Sequence, residues 1–445
     1  MTGSNSRRLV SASKTMASAA IAPTKTWEKL SQWLPSGNAD TEYWWKLTGK
    51  HLATMLETAG YSTEAQWEAL IFHYHWIVPY LGPAPGPNSS AKWKSVLSLD
   101  GGPIEYSWKW NTPSGGKPDV RYTIEPVSLF SGTPLDPLNQ LAMSELLHRI
   151  AAVVPSIDLS WTNHLLATLF DHDRSKYAKE GAAGAPLGTT MFVAVEWLPK
   201  GLSLKTYFAP RRLGQTQFPL PVPEWEVTIA ELVPTSTSRV VLQDFLSENA
   251  EGKLLIPICL AVDNVIPEKS RLKWYLHSPH SSFASVREVM TMGGKIDLAE
   301  SQLEDLRSLI AAATGIPADF PEDAEVQPTV PESELPPLPP GFMYYFDIAP
   351  GPSNPDIKVY IPIRRYGGDD RTLVQALTEW MNSHGRSQYT QGFQALLESI
   401  AQHRGLEEGK GIQTFVSCLF KKSGELDITT YIGPEALHPL RFLKE

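Results

Sequence analysis

An α+β chain, with ten antiparallel strands closed into a barrel and helices packed around it, is what this sequence predicts, and three observations carry the prediction. Hydrophobic residues make up 42% and charged residues 20% of 445, a globular balance too apolar for a disordered chain. One unit recurs along the chain: two amphipathic helical stretches, then two strand-like runs around a Gly/Pro/Asn/Asp turn. In three of these units the second run carries Lys-x-Tyr, as Lys205-Thr206-Tyr207, Lys273-Trp274-Tyr275 and Lys358-Val359-Tyr360. Residues two apart share one face of a strand, so each copy sets an ammonium beside a phenol ring.

Taken in order, the strand pairs span 94–110 with 119–126, 190–198 with 202–208, and 255–262 with 270–277, then 342–349 with 357–364 and 412–420 with 425–432. Helical periodicity fills 42–59, 63–81, 138–153, 161–170, 238–249, 282–292, 298–314, 372–383 and 389–403. The Lys-x-Tyr copies recur at intervals far longer than solenoid periods, so the repeat is structural and padded by loops. Part of the padding is 317–341, whose acids and prolines, Pro336-Pro337 and Pro339-Pro340 among them, suit an extended surface loop. Residues 1–25, rich in Ser, Ala and Thr, read as a disordered tail, with 26–445 forming one barrel domain.

Helix pairs joining successive hairpins favour an antiparallel meander, and closure removes the edges that would invite aggregation. Ten strands enclose a wider space than the eight that side chains just fill. With helices outside, the strands can turn polar groups inward, which makes the Lys-x-Tyr pairs the lining of a chamber. Cations and phenol rings on one chamber wall suit two charges at once, a polyanion such as diphosphate held by Lys and a carbocation beside aromatic faces.

The bulk numbers narrow the partners. A formal net charge of −9 argues against a nucleic-acid surface, so any anion site is local. No apolar stretch reaches the roughly 20 residues of a membrane span. Cys259 and Cys418 sit in apolar strand-like runs outside any metal-type pair, as reduced core residues of a cytosolic chain would. The partners expected are small molecules; the sequence is silent on oligomeric state.

Further cations and rings extend the set. Arg121 and Thr123 share a face of the first hairpin, Arg271 precedes Lys273 by two, and Tyr431 ends the last hairpin as Tyr207, Tyr275 and Tyr360 end earlier ones. Glu105 follows a tight turn in Gly102-Pro103-Ile104-Glu105-Tyr106. Facing inward among cations it is expected to stay ionised, to accept a hydrogen bond from an N–H and to take up a proton during reaction.

Other candidates are weaker. His73 and His75 sit two apart on a helix and diverge, and Phe170-Asp171-His172-Asp173 reads as a helix end. Gly181 to Gly184 and Gly367-Gly368 read as loops without a phosphate-binding context. Trp108 and Trp110 read as core or chamber wall.

The ordered set Ile104-Glu105-Tyr106-Ser107, Val120-Arg121-Tyr122-Thr123-Ile124-Glu125-Pro126, Lys205-Thr206-Tyr207-Phe208-Ala209-Pro210, Arg271-Leu272-Lys273-Trp274-Tyr275, Lys358-Val359-Tyr360-Ile361-Pro362 and Thr430-Tyr431 resembles the fungal indole prenyltransferases of the dimethylallyltryptophan synthase type. The resemblance implies an ABBA barrel of five ααββ units. It implies metal-independent transfer of a dimethylallyl group from its diphosphate, the co-substrate, with no cofactor required. Arg121, Lys205, Arg271, Lys273 and Lys358 would bind the diphosphate, Tyr207, Tyr275, Tyr360 and Tyr431 would shield the allyl cation, and Glu105 would hold an indole N–H. The expected acceptor is the indole of a tryptophan-containing cyclic dipeptide, in indole alkaloid biosynthesis. Free tryptophan, a non-indole aromatic, and a non-catalytic barrel holding an aromatic or phosphorylated ligand are the alternatives. The aspartate-rich magnesium motif of other prenyl-diphosphate enzymes has no counterpart, since Asp369-Asp370-Arg371-Thr372-Leu373 ends in Leu.

Overall fold

The computed structural model describes residues 24–85, 91, 93–185, 187–198, 201–215, 219–330 and 340–442. Ten antiparallel strands close into a barrel in which each neighbours the next in sequence and the last returns to the first. They are β1 (Ile104–Lys109), β2 (Asp119–Ile124), β3 (Met191–Leu198), β4 (Gly201–Phe208), β5 (Ile256–Asp263), β6 (Leu272–His277), β7 (Met343–Ile348), β8 (Asp356–Ile361), β9 (Gln413–Phe420) and β10 (Leu426–Ile432). Closure is made by β1 on β10, where Ser107 lies opposite Tyr431 and Lys109 opposite Thr429.

The pattern along each strand is inverted relative to an ordinary barrel core. Ile104, Tyr106 and Trp108 alternate with Glu105, Ser107 and Lys109, and the first three are fully buried on the outer face. Tyr106 meets His51 edge-on with 5.8 Å between ring centroids, and Trp108 packs at 5.5 Å on Phe393 of the helix Thr390–Ile400. Trp274 of β6 likewise faces Trp225 of the helix Val222–Leu232. The hydrophobic core is therefore a sleeve between barrel and helices. Burying apolar area at roughly 25 cal/mol per Å² in that sleeve frees the inner wall to be polar.

Several helix starts follow from their caps. Ser62, Ser282 and Asp369 accept from backbone N–H groups at the openings of Thr63–Phe72, Phe283–Thr291 and Asp370–Ser383. That gives Asp369 a capping role, while Asp370 is held by Arg404. Gly341 precedes β7 at φ +122, where a Cβ would lie 1.9 Å from the Ser278 carbonyl oxygen, so only glycine fits there.

Some boundaries differ from the sequence reading. The expected strand over 94–110 begins only at Ile104, because Ser98, Asp100 and Gly101 fold the preceding chain into a turn: Gly101 donates to Ser98 and Asp100 accepts from Gly102. β8 ends at Ile361, and Arg364 lies in the short helix Ile363–Tyr366. Helices Lys25–Trp33, Arg174–Ala182 and Val222–Leu232 were not predicted; Asp173 caps the second, which contains Gly181. Of the expected tail and proline-rich loop, residues 1–23 and 331–339 lie outside the described residues.

Candidate active site

Strand alternation sorts the inner wall by height. Towards the hairpin turns lies a belt of opposite charges. Lys109 bridges Asp427 at 2.9 Å and Asp119 at 3.7 Å, and Arg121 reaches Glu196 at 3.1 Å. Lys205 donates to the same Glu196 carboxylate. Asp263 takes Lys273 at 3.0 Å and Arg271 at 2.9 Å, and Arg271 also meets Asp347 at 2.7 Å. All five cations expected from the sequence are on this wall, with Arg271, 44% exposed, at the rim. Lys358 is set apart: it donates to Thr429 Oγ1 at 3.2 Å and lies 5.8 Å from the centroid of the Tyr360 ring.

The belt perturbs its members in ways that report their surroundings. Burial acts to raise Glu196, but the charges of Arg121 and Lys205 outweigh it and hold the carboxyl down at about 2. Asp263 is likewise held well below the carboxylate range, burial being outweighed by Lys273, Lys205 and Arg271. Burial, joined by repulsion from Lys273, lowers Lys205 to about 8, and burial lowers Lys358 to about 7. Cations so close-set and partly destabilised gain from a polyanion.

Next comes a layer of phenol rings. Tyr207, Tyr275, Tyr345, Tyr360 and Tyr431 are linked in sequence, with centroids 5.9 Å apart for Tyr207–Tyr275, 5.5 Å for Tyr275–Tyr345 and 5.7 Å for Tyr360–Tyr431. The Tyr360 hydroxyl lies 3.4 Å from that of Tyr275 and accepts from that of Tyr431 at 3.3 Å. Phe192 stacks on Tyr207 at 4.7 Å, and Phe415 closes the ring beside Tyr360 and Tyr431. Burial raises all five phenols, so they stay neutral and present π faces.

At the helix-connected end, Glu105 accepts from Thr414 Oγ1 at 2.7 Å. The expectation that neighbouring cations keep it ionised is not met. Burial raises its carboxyl to about 7, and Thr414 and Arg364 only partly oppose this, because the belt cations lie at the far end of the barrel. A raised carboxyl stabilises the fold below its ordinary pKa of 4.5 and loses that contribution as pH rises through 7. Glu105→Gln is therefore expected to gain stability over the native chain between pH 5 and pH 8, by up to ~3 kcal/mol at 1.36 kcal/mol per pK unit. Urea midpoints at the two pH values test this, and an equal offset at both would refute it.

Sequence reasoning missed the acids of the belt (Asp119, Glu196, Asp263, Asp347 and Asp427), together with Lys109, Tyr345 and Arg364. The period of two could have found most of them, since Tyr345 and Asp347, or Asp427, Thr429 and Tyr431, share faces. Glu125, inside a quoted motif, lies outside the chamber and accepts from Trp93, Asn139 and Thr189. His73 is buried against Thr48 while His75 is exposed, so the pair diverges as expected. Among the described residues, ligand atoms of His403, Glu435 and His438 come within 4.8 Å of one another. Both Glu435 oxygens are occupied by Arg404, and His403 shares one of them, so this cluster is a latch on the C-terminal segment and a poor fit for a metal. No described helix is long and apolar enough to cross a membrane.

A family model described as tryptophan dimethylallyltransferase matches residues 40–395. The chain belongs to that family. Its relatives include prenyltransferase anuH of Penicillium roqueforti, 61% identical over 430 residues that cover 95% of each chain. Xanthone prenyltransferase B of Emericella nidulans is 48% identical over 429 residues, covering 93% of this chain and 92% of its own. Among solved structures, AnaPT from Neosartorya fischeri superposes with a TM-score of 0.76 over 92% of this chain and 97% of its own, at 23% identity. NotF in complex with brevianamide F and DMSPP gives 0.75 over 93% and 99%, at 21% identity. The family member described here is thus an ABBA barrel and a dimethylallyl diphosphate-dependent aromatic prenyltransferase.

Proposed function

We propose that the chain transfers a dimethylallyl group from dimethylallyl diphosphate to a ring carbon of a hydroxylated polycyclic aromatic acceptor, inside the barrel and without a metal. The observation that carries the reading is the axial order of the inner wall: charge belt, phenol layer, then Glu105. The diphosphate sits on Arg121, Lys205, Arg271, Lys273 and Lys358. As the C–O bond breaks these cations stabilise the departing charge from fixed positions, the role a magnesium ion fills elsewhere. Tyr207, Tyr275, Tyr345, Tyr360 and Tyr431 surround the allyl cation and keep water from it.

Glu105 meets the acceptor from the opposite side. As carboxylate it accepts the hydrogen bond of a ring hydroxyl, which pushes electron density into the ring; the ring carbon then forms the new C–C bond. The ring proton leaves to the diphosphate, and aromaticity returns. A hydroxylated acceptor is favoured over an indole by the relatives: those named for xanthones are 48% and 44% identical, whereas the brevianamide F complex is 21% identical. A tryptophan-containing cyclic dipeptide, with its N–H on Glu105, is the second reading.

Incubation with dimethylallyl diphosphate and a panel of dihydroxyxanthones, naphthols, free tryptophan and tryptophan cyclic dipeptides, with and without EDTA, tests both. C-prenylated phenols at rates indifferent to EDTA are expected, with the carbon identified by NMR. Turnover of the tryptophan cyclic dipeptides alone would transfer the case to that second reading, and loss of turnover in EDTA would end the metal-free mechanism.

A further inference from the structure

Arg364 is an anomaly among the cations of the barrel. It follows β8 on the short helix Ile363–Tyr366 and is 6% exposed. Among the described residues its guanidinium makes no hydrogen bond and no ion pair within 4.0 Å. It lies 5.0 Å from the centroid of Phe415, a ring that itself meets Tyr360 and Tyr431. By contrast, Arg121 is bound to Glu196, Arg404 to Asp370 and Glu435, and Arg386 to the carbonyls of Asn111 and Leu426.

A buried cation without a partner costs free energy that folding ordinarily avoids by pairing or hydrogen bonding. Burial lowers Arg364 only to about 10, with Glu105 opposing the shift, so the charge persists at neutral pH. Glu105, beyond ion-pair distance, is also half-engaged: Thr414 takes Oε1, and Oε2 has no hydrogen-bond partner among the described residues. A free guanidinium fork and a free carboxyl oxygen thus stand at one end of the chamber with a gap between them.

We infer that Arg364 is a specificity-determining residue whose guanidinium binds a carbonyl or phenolate oxygen on the acceptor's ring skeleton, while Glu105 takes a neighbouring hydroxyl. The inference rests on the acceptor class proposed above and deepens it: the preferred ring carries an oxygen acceptor within reach of the hydroxyl. The planar fork of Arg suits such oxygens and a Lys point charge suits them less well.

The experiment compares native enzyme with Arg364→Gln, Arg364→Lys and Arg364→Met. The acceptors are 1,7-dihydroxyxanthone, which has a carbonyl beside a hydroxyl, and 2-naphthol, which has the hydroxyl alone. Arg364→Gln is expected to raise KM for the xanthone about 10- to 100-fold, with KM for dimethylallyl diphosphate and for 2-naphthol within about twofold; Arg364→Lys recovers part of the loss. Because the charge is unpaired, Arg364→Met should melt at the native temperature or higher. Native turnover of the xanthone with an unchanged KM in Arg364→Gln, or an equal rise for all three substrates, or a marked fall in melting temperature of Arg364→Met, overturns the inference alone. Native turnover of indoles and of neither phenol overturns the acceptor class, and the inference with it.

Discussion

Replacing Lys205 by Ala should lower kcat/KM for dimethylallyl diphosphate by about 10²- to 10³-fold, the usual effect of deleting one preorganised partner of a developing anion. The expectation follows from its surroundings. Lys205 shares Glu196 with Arg121, so the substitution leaves that carboxylate paired and the barrel folded. What disappears is an ammonium that burial and Lys273 have already lowered to about 8. Diphosphate counters the repulsion from Lys273, so binding draws energy from its relief as well as from direct attraction. Two measurements check the argument. Competitive inhibition by inorganic diphosphate should weaken in Lys205→Ala while KM for the acceptor holds, and circular dichroism should be native. An unaltered inhibition constant would remove Lys205 from the diphosphate site.

Tyr360→Ala is the second large change, and its effect falls on product partitioning as well as on stability. Tyr360 is the hub of the phenol layer, touching Tyr275, Tyr345, Phe415 and Tyr431 by ring contacts and Tyr275 and Tyr431 by hydroxyls. Deleting so large a buried ring costs about 3–5 kcal/mol. The opening it leaves is lined by hydroxyls and admits water. Water then competes with the acceptor for the allyl cation, so dimethylallyl alcohol should rise from a trace to a major product. Tyr360→Phe keeps the ring and loses only hydroxyl contacts, and it should retain most of the native ratio of prenylated acceptor to alcohol. Equal ratios in the Ala and native enzymes would mean that the layer does not exclude water.

The parts of this molecule legible in its sequence are those with a short period. Lys205 and Tyr207, Lys273 and Tyr275, or Lys358 and Tyr360 could be placed on one face because strand geometry dictates it, and their chamber followed from repetition. Glu105 is singled out in the sequence as a strand acid just after a tight turn, yet its charge state is misjudged there: ionisation depends on which cations stand at the same height of the barrel, and height is set by the stagger of strands far apart in sequence. Arg364 escaped for a related reason. An extended run through 364 gives no hint that Pro362 ends β8 and starts a helical turn that swings the side chain over Phe415. Several counter-charges of the belt were missed because their partners come from neighbouring hairpins, as when Glu196 of β3 meets Arg121 of β2.

The two rims of the barrel are built differently. One carries the hairpin connections beside a belt of side chains that neutralise each other; the other opens into connections that run outward to the helices. On the proposed assignment of the diphosphate to the charge belt, replacement or lengthening of those connections leaves the leaving-group machinery intact, so new aromatic partners can be acquired by remodelling one rim while the chemistry at the opposite rim stays as it was.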